Sequence, residues 1–171
     1  MANRIYGAVG VSKILDGGVD VGCQGTAEIP GVKYTTQDFK GPGIMGTLSL
    51  PTSGQVESMQ LKINCRGLSA MMAKLQAPGV HDLELRLVQD TVAAGGQTEA
   101  RLAKVFVTGT YVEGETGTME SGSVVEGSAT YEVQRMQIIE GGEEVLLIDK
   151  LTHQHRVNGR DYGQDVWALV E

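Results

Sequence analysis

Apolar and polar residues alternate along most of this chain, and the alternation is clearest between residues 102 and 137. Ala103, Val105, Val107, Gly109 and Tyr111 fall on one side of a first arm, with Lys104, Thr108 and Thr110 on the other. A second arm, 127–137, sets Ala129, Tyr131, Val133 and Arg135 against Ser128, Thr130, Glu132 and Gln134. A period of two marks strands with one buried and one wet face. Between the arms, 113–126 is rich in Gly, Ser, Glu and Thr and has no apolar period. Arms of about ten residues reach roughly 35 Å, longer than the usual strand. Long strands with one wet face suit a wall that has water on one side.

The pattern recurs on either side. Residues 5–15 predict a first strand ending at Asp16-Gly17-Gly18, a turn that returns through 19–21, and 26–29 predicts a short strand before Pro30-Gly31. Residues 47–50 and 56–65 predict a hairpin around Pro51-Thr52-Ser53-Gly54, with Met59, Leu61, Ile63 and Cys65 inward and Ser58, Gln60, Lys62 and Asn64 outward. The spacing of Leu68, Met71, Met72 and Leu75 predicts the one convincing helix, ended by Pro78-Gly79. Residues 81–88 alternate Leu83, Leu85 and Leu87 with Asp82, Glu84 and Arg86, and 89–98 reads as a loop. Residues 136–139 run on to a Gly141-Gly142 turn, 143–149 returns and could extend to His155, and Asn158-Gly159 is a strong turn dipeptide. One helix among eight to ten strands excludes a βαβ sheet, so the fold expected is mainly β: an antiparallel β-sandwich or barrel with one short α-helix.

Residues 31–46 have no clean period yet carry Val32, Tyr34, Phe39, Ile44 and Met45. A loop of about 15 residues is unusual inside a compact domain, and disordered linkers are poor in such side chains. The stretch reads as an extended arm that orders against a partner, or as a loop folded back on its own core. The apolar end, 166–170, is expected to dock on its own sheet or on a neighbour.

At 171 residues the chain is read as one domain, 1–171. Glycine, 24 of 171, is about twice its usual share, which points to many turns and bulges. The net charge of −7 argues against a basic coat for nucleic acid. All of it lies in 113–144, where eight glutamates meet one arginine and no lysine. That surface is either a solvated acidic loop or one that repels a polyanion. Cys23 and Cys65 have no metal spacing and are read as buried free thiols of a reducing compartment. No run is apolar enough for a signal peptide or a membrane span, so folding in the cytoplasm of the host cell is expected, with no membrane anchor.

No catalytic constellation emerges. His153 and His155 would share a strand face, but no Cys or third His accompanies them, and a solvent-facing pair is the plainer reading. His81 beside Asp82 reads as structural. No serine sits in a nucleophile elbow, and no glycine pair stands where a strand would deliver phosphate to a helix. The expectation is no enzyme, no metal and no cofactor.

In their order, several features resemble the major tail tube protein of contractile-tailed bacteriophages and phage-tail-like bacteriocins. They are the Asp16-Gly17-Gly18 turn, Ile29-Pro30, the arm Tyr34 to Phe39-Lys40-Gly41-Pro42-Gly43-Ile44-Met45-Gly46, and the Met59/Leu61/Ile63 strand with its short helix. Ile148-Asp149 and Val157-Asn158-Gly159-x-Asp161 follow near the end, so the resemblance spans about residues 10–163. The apolar stretch from Val166 departs from it. The resemblance implies homohexameric rings whose long hairpins join into a multi-subunit inner β-barrel. Rings stack into the tube of a virion tail, with sheath, tape-measure and baseplate or initiator proteins as partners and DNA passing without specific binding. On that basis Ser58, Gln60, Lys62, Asn64, Thr130, Glu132 and Gln134 are expected to line the lumen. Tyr34, Phe39, Ile44 and Met45 are expected to contact the next ring, with the acidic tip at 113–126 flexible at a ring edge. The alternatives are the ring-forming tube protein of a type VI secretion system and a monomeric ligand-binding β-sandwich.

Overall fold

A computed structural model describes residues 3–22 and 25–171. β1 (Arg4–Asp16) turns through Gly17 and Gly18, both at positive φ, into β2 (Val19–Asp20). β3 (Thr26–Glu28) precedes β4 (Tyr34–Phe39), β5 (Leu48–Val56) and β6 (Gln60–Arg66). After α1 (Ala70–Leu75) come three long strands, β7 (Val80–Ala93), β8 (Thr98–Glu115) and β9 (Glu126–Glu140). β10 (Glu143–Asp149), β11 (Gln154–Val157), β12 (Arg160–Asp161) and α2 (Tyr162–Trp167) complete the chain. Every ladder is antiparallel. The main sheet runs β12-β11-β10-β9-β8-β7-β1-β2, with β6 joined to β9 and β3 to β6, while β4 and β5 form a separate two-stranded sheet.

β9 is the organising strand. One edge pairs with β8 from Ser128 to Glu140, and the other is divided between β6 (Glu126↔Arg66 to Glu132↔Gln60) and β10 (Arg135↔Asp149 to Glu140↔Glu143). The changeover falls at Gln134, an extra residue between the pairs Gly109↔Val133 and Thr108↔Arg135. Strict alternation puts Arg135 beside Val133, but this bulge carries Arg135 to the wet face and brings Met136, fully buried, to the core. A second bulge at Val112 keeps Glu113 opposite Thr130.

One face of the sheet carries the core: Leu61, Ile63 and Cys65 from β6, Leu83 and Leu85 from β7, Val105 and Val107 from β8, and Ala129, Tyr131 and Val133 from β9. Each large aliphatic side chain here contributes about 1.5–3 kcal/mol by leaving water. Tyr131 is fully buried, with T-shaped contacts to His81 and Tyr111, and its hydroxyl donates to the Leu75 carbonyl at the end of α1. Burial raises its pKa, so it stays a neutral donor. The sheet wraps this face without closing, giving an open antiparallel β-sandwich, mainly β as the alternation implies.

Several local expectations are corrected. Residues 47–65 are not one hairpin, because β5 pairs with β4. The Pro51–Gly54 turn signal becomes a bulge inside β5, where the register steps from Thr36↔Pro51 to Tyr34↔Val56. Ser69 caps α1 by accepting from the Met72 N–H; Met72 and Leu75 are buried, but Leu68 and Met71 are exposed. The expected loop at 89–98 is mostly strand, since β7 and β8 extend to a turn at 94–97. A second helix, α2, follows the Asn158-Gly159 turn. Cys65 is disulfide-bonded, not a free thiol, while Cys23 lies outside the described residues.

Candidate assembly surfaces

Three surfaces stand out once the core is assigned: the wet face of the sheet, its bare edge at β1, and the β4–β5 hairpin.

On the wet face, directly paired residues lie side by side. Gln60, Glu132 and Thr110 form one row, Lys62, Thr130 and Glu113 the next, and Asn64, Ser128 and Glu115 a third. All seven residues read as lumen-facing therefore share one face or its margin. Ser58 and Gln60 are exposed; Lys62, Asn64, Glu132 and Gln134 are half-buried. Thr130 is buried, hemmed in by Lys62 and Glu113 on the flanking strands. Gln134 donates to the Thr110 hydroxyl at 3.0 Å, and Ser58 donates to Glu132 at 2.6 Å. Burial alone would raise the Glu132 carboxyl, but Ser58, Lys150 and the Met59 backbone N–H hold it below the usual range. Toward the foot of the strands the character changes. Phe106, Gln137 and Leu147 form a row there, and Leu147 is fully buried.

The acidic surplus is narrower than the sequence suggests. Four of the eight glutamates in 113–144 are ion-paired: Glu126 with Arg66 (3.1 Å), Glu140 with Arg101 (3.4 Å) and Glu144 with Arg156 (3.2 Å) across strands, and Glu132 with Lys150 (3.4 Å) in the turn after β10. Glu113, Glu115 and Glu120 are exposed at the end of β8 and in the tip, which runs only from 116 to 125.

β1 is the second surface. It pairs with β7 along one side, while on the other, among the described residues, β2 and Val21 cover only Ile14, Leu15 and Asp16. Along the uncovered length Ile5 is 70%, Val9 52% and Val11 67% exposed. Soluble proteins blunt such edges with charge, proline or short strands. Sequence reading found the strand but not its position, because edge status depends on strand order.

The third surface is the hairpin. Its tip carries Phe39, Ile44, Met45 and Leu48, all exposed, with Met45 entirely in solvent. Tyr34 is set apart from them. It sits at the base, half-buried, and its hydroxyl bonds His155 Nδ1 at 2.5 Å. His153 and His155 do not share a strand face: His153 occupies a turn at positive φ and stacks on Trp167, while His155 lies on β11. Asp161 and Trp167 organise this corner; the sequence shows the first within the Val157-Asn158-Gly159-x-Asp161 motif and the second within the apolar 166–170 end, but gives neither a local role. The signal available was Asp161 two residues after Asn158-Gly159, an N-cap ahead of a short apolar run. No group of three or more His, Cys, Asp or Glu side chains suited to a metal occurs among the described residues.

The described residues thus form an open sheet with one wet face, an apolar edge along β1 and a projecting hairpin. The family model of phage tail tube protein FII matches residues 11–169, and the chain belongs to that family. It is thus a structural tail tube protein, and not an enzyme. Among solved structures, it is similar to a chain of the sheath-tube complex, in the extended state, of the extracellular contractile injection system PVC (TM-score 0.50, 12% identity, 75% of this chain and 87% of that one). It is also similar to a chain of the six-fold symmetrised anti-feeding prophage (AFP) baseplate (TM-score 0.48, 13% identity, 77% of this chain and 92% of that one). At these identities the likeness concerns the fold. No curated protein matches the chain.

Proposed function

We propose that copies of this chain join edge to edge into hexameric rings, and that the rings stack into the inner tube of a contractile tail, the conduit for DNA ejection. The observation that carries this reading is the bare, apolar edge of β1. Adding β1 of one copy to the far edge of the next copy's sheet satisfies its backbone groups and covers Ile5, Val9 and Val11. Such a contact is head-to-tail, and a head-to-tail contact closes into a ring when its rotation divides a full turn. In the ring the wet face carrying Gln60, Lys62, Asn64 and Thr130 turns inward, and Glu113 and Glu115 add negative charge that keeps a polyanion from sticking. Phe39, Ile44 and Met45 meet the adjacent ring, where burying three such side chains contributes several kcal/mol per copy. The outside of the tube faces the sheath, its end meets the baseplate or initiator, and the lumen holds the tape-measure protein before DNA.

The test is electron microscopy of the purified chain, alone and with pre-formed tube or baseplate as seed. Hollow tubes built from six-fold rings are expected. A chain that stays monomeric with seeds present overturns the reading.

A further inference from the structure

The β4–β5 hairpin poses a mechanical problem. It is a two-stranded sheet outside the main ladder, and an isolated hairpin is marginally stable in water. A bulge within β5 interrupts its register. If its tip is to meet a neighbour at a set place, something must hold its direction.

The contacts at its base supply that. Lys33 and Glu57 clamp the two chains, by an ion pair at 2.8 Å and a Glu57 N–H to Lys33 carbonyl bond at 2.8 Å. Lys150 donates to the Glu57 carbonyl at 3.1 Å. Beyond the clamp, the C-terminal corner grips the hairpin from the side. Asp161 Oδ1 accepts from the N–H groups of His155 (3.2 Å), Gly163 (3.0 Å) and Gln164 (3.1 Å), binding β11 to the start of α2. Gly163 lets the helix approach, since a Cβ there would lie 2.3 Å from the His153 carbonyl oxygen. α2 then presents Trp167, whose indole stacks on the His153 ring at 3.7 Å and 10°. Its Nε1, with Val166, lies 3.4 Å from where a Gly54 Cβ would be, so the indole rests against the β5 bulge. Tyr34 closes the other side through His155. A cleft of about 290 Å³ remains between hairpin and corner, lined by Tyr34, Gly54, His155 and Trp167 among others.

From this geometry we infer that α2 and the 153–155 segment form a latch that sets the direction of the β4–β5 hairpin, with Trp167 and Tyr34 as its positioning residues. The inference rests on the reading that the hairpin tip contacts the next ring. A hairpin held in its bound direction within the monomer loses less freedom on docking, so the latch favours assembly without touching the neighbour. It also gives the apolar C-terminal stretch a task within its own chain. Leu169 and Val170 stay exposed beyond the helix, so the grip ends at Trp167.

The experiment compares wild type with Trp167→Ala, Trp167→Phe and Tyr34→Phe, the last removing only a hydroxyl. Amide hydrogen exchange is read in the hairpin (34–56) and in the main sheet (60–66 and 126–140), and tube yield is read by seeded sedimentation. The expectation for Trp167→Ala and Tyr34→Phe is exchange in the hairpin faster by about tenfold or more, an unchanged main sheet and reduced tube yield. Trp167→Phe, which keeps a ring on His153, restores both. Exchange rising equally in hairpin and sheet, or a loosened hairpin with normal tube yield, overturns the latch while leaving the tube reading intact. Phe39→Ala and Met45→Ala serve as controls: if both assemble like wild type, the tip is not a contact and the latch falls with it.

Discussion

His81 Nδ1 lies 2.9 Å from the Asp16 carboxylate, and both side chains are buried. The pair joins the start of β7 to the end of β1, and His81 Nε2 also meets the Ala77 carbonyl just past α1, at 2.6 Å. Three elements therefore depend on one imidazole. His81→Ala strands a buried carboxylate, and a loss of about 3 kcal/mol in urea unfolding is expected. A loss under about 1 kcal/mol would show that water replaces the ring.

Gly127 is a second point of no tolerance. A Cβ there would lie 1.9 Å from Met72 Cε and 2.7 Å from the Glu115 carbonyl oxygen. The methionine end can move, but the backbone of β8 cannot without breaking its ladder. Gly127→Ala should cost about 1–3 kcal/mol or more and loosen α1, seen as lost helix protection in hydrogen exchange.

The base of the hairpin should open in acid. Burial lowers the pKa of His155 from 6.5, partly offset by the nearby Asp161 carboxylate, so the released form takes up a proton first. The docked state therefore has its full advantage above pH 6.5 and loses it progressively below. Asp161 acts in the same sense at lower pH. Partial burial would raise its carboxyl, but the N–H groups of Gln164, His155 and Gly163, together with Arg156, hold it below 3.8. Its contribution is present above that value and fades as the pH falls through its lowered one. The sole tryptophan, Trp167, reports the event. Its fluorescence should change between pH 7.5 and 5 in wild type, and His155→Gln should flatten the profile. An identical profile in the variant would assign the change elsewhere.

The edge of β1 gives the most direct test of ring closure. Val9→Lys with Val11→Lys puts charge where soluble proteins use it to block strand addition. Both positions are exposed, so monomer stability should change by about 0.5 kcal/mol at most for each. Rings should not form in electron micrographs at concentrations where wild type assembles.

Charge on the wet face should govern passage. Ser58→Lys with Gln60→Lys places two cations at exposed positions of the face assigned to the lumen. Tubes should form normally and DNA ejection should slow, more so at low salt, where phosphate contacts are strongest. Ejection at the wild-type rate would remove this face from the lumen.

Alternation along 58–65, 81–85, 103–111 and 127–133 determined, by itself, which side chains face the core, because a strand's period is a local property of its backbone; Leu87, expected inward by the same pattern, is only half-buried. The turns at Gly17-Gly18, Gly141-Gly142 and Asn158-Gly159 were legible for the same reason: positive φ is a demand on single residues, and all six positions adopt it. The order of features also carried the family. What the chain could not display locally was left to the tertiary structure. The bulge at Gln134 exists because β9 changes partner from β6 to β10 there, and no residue at 134 announces a distant neighbour. Pairing of β4 with β5, and the bareness of β1, likewise follow from strand order. Four of the glutamates counted as surplus found bases elsewhere in the fold. Tyr34, read with the arm's outward residues, was drawn inward by a histidine 121 positions away.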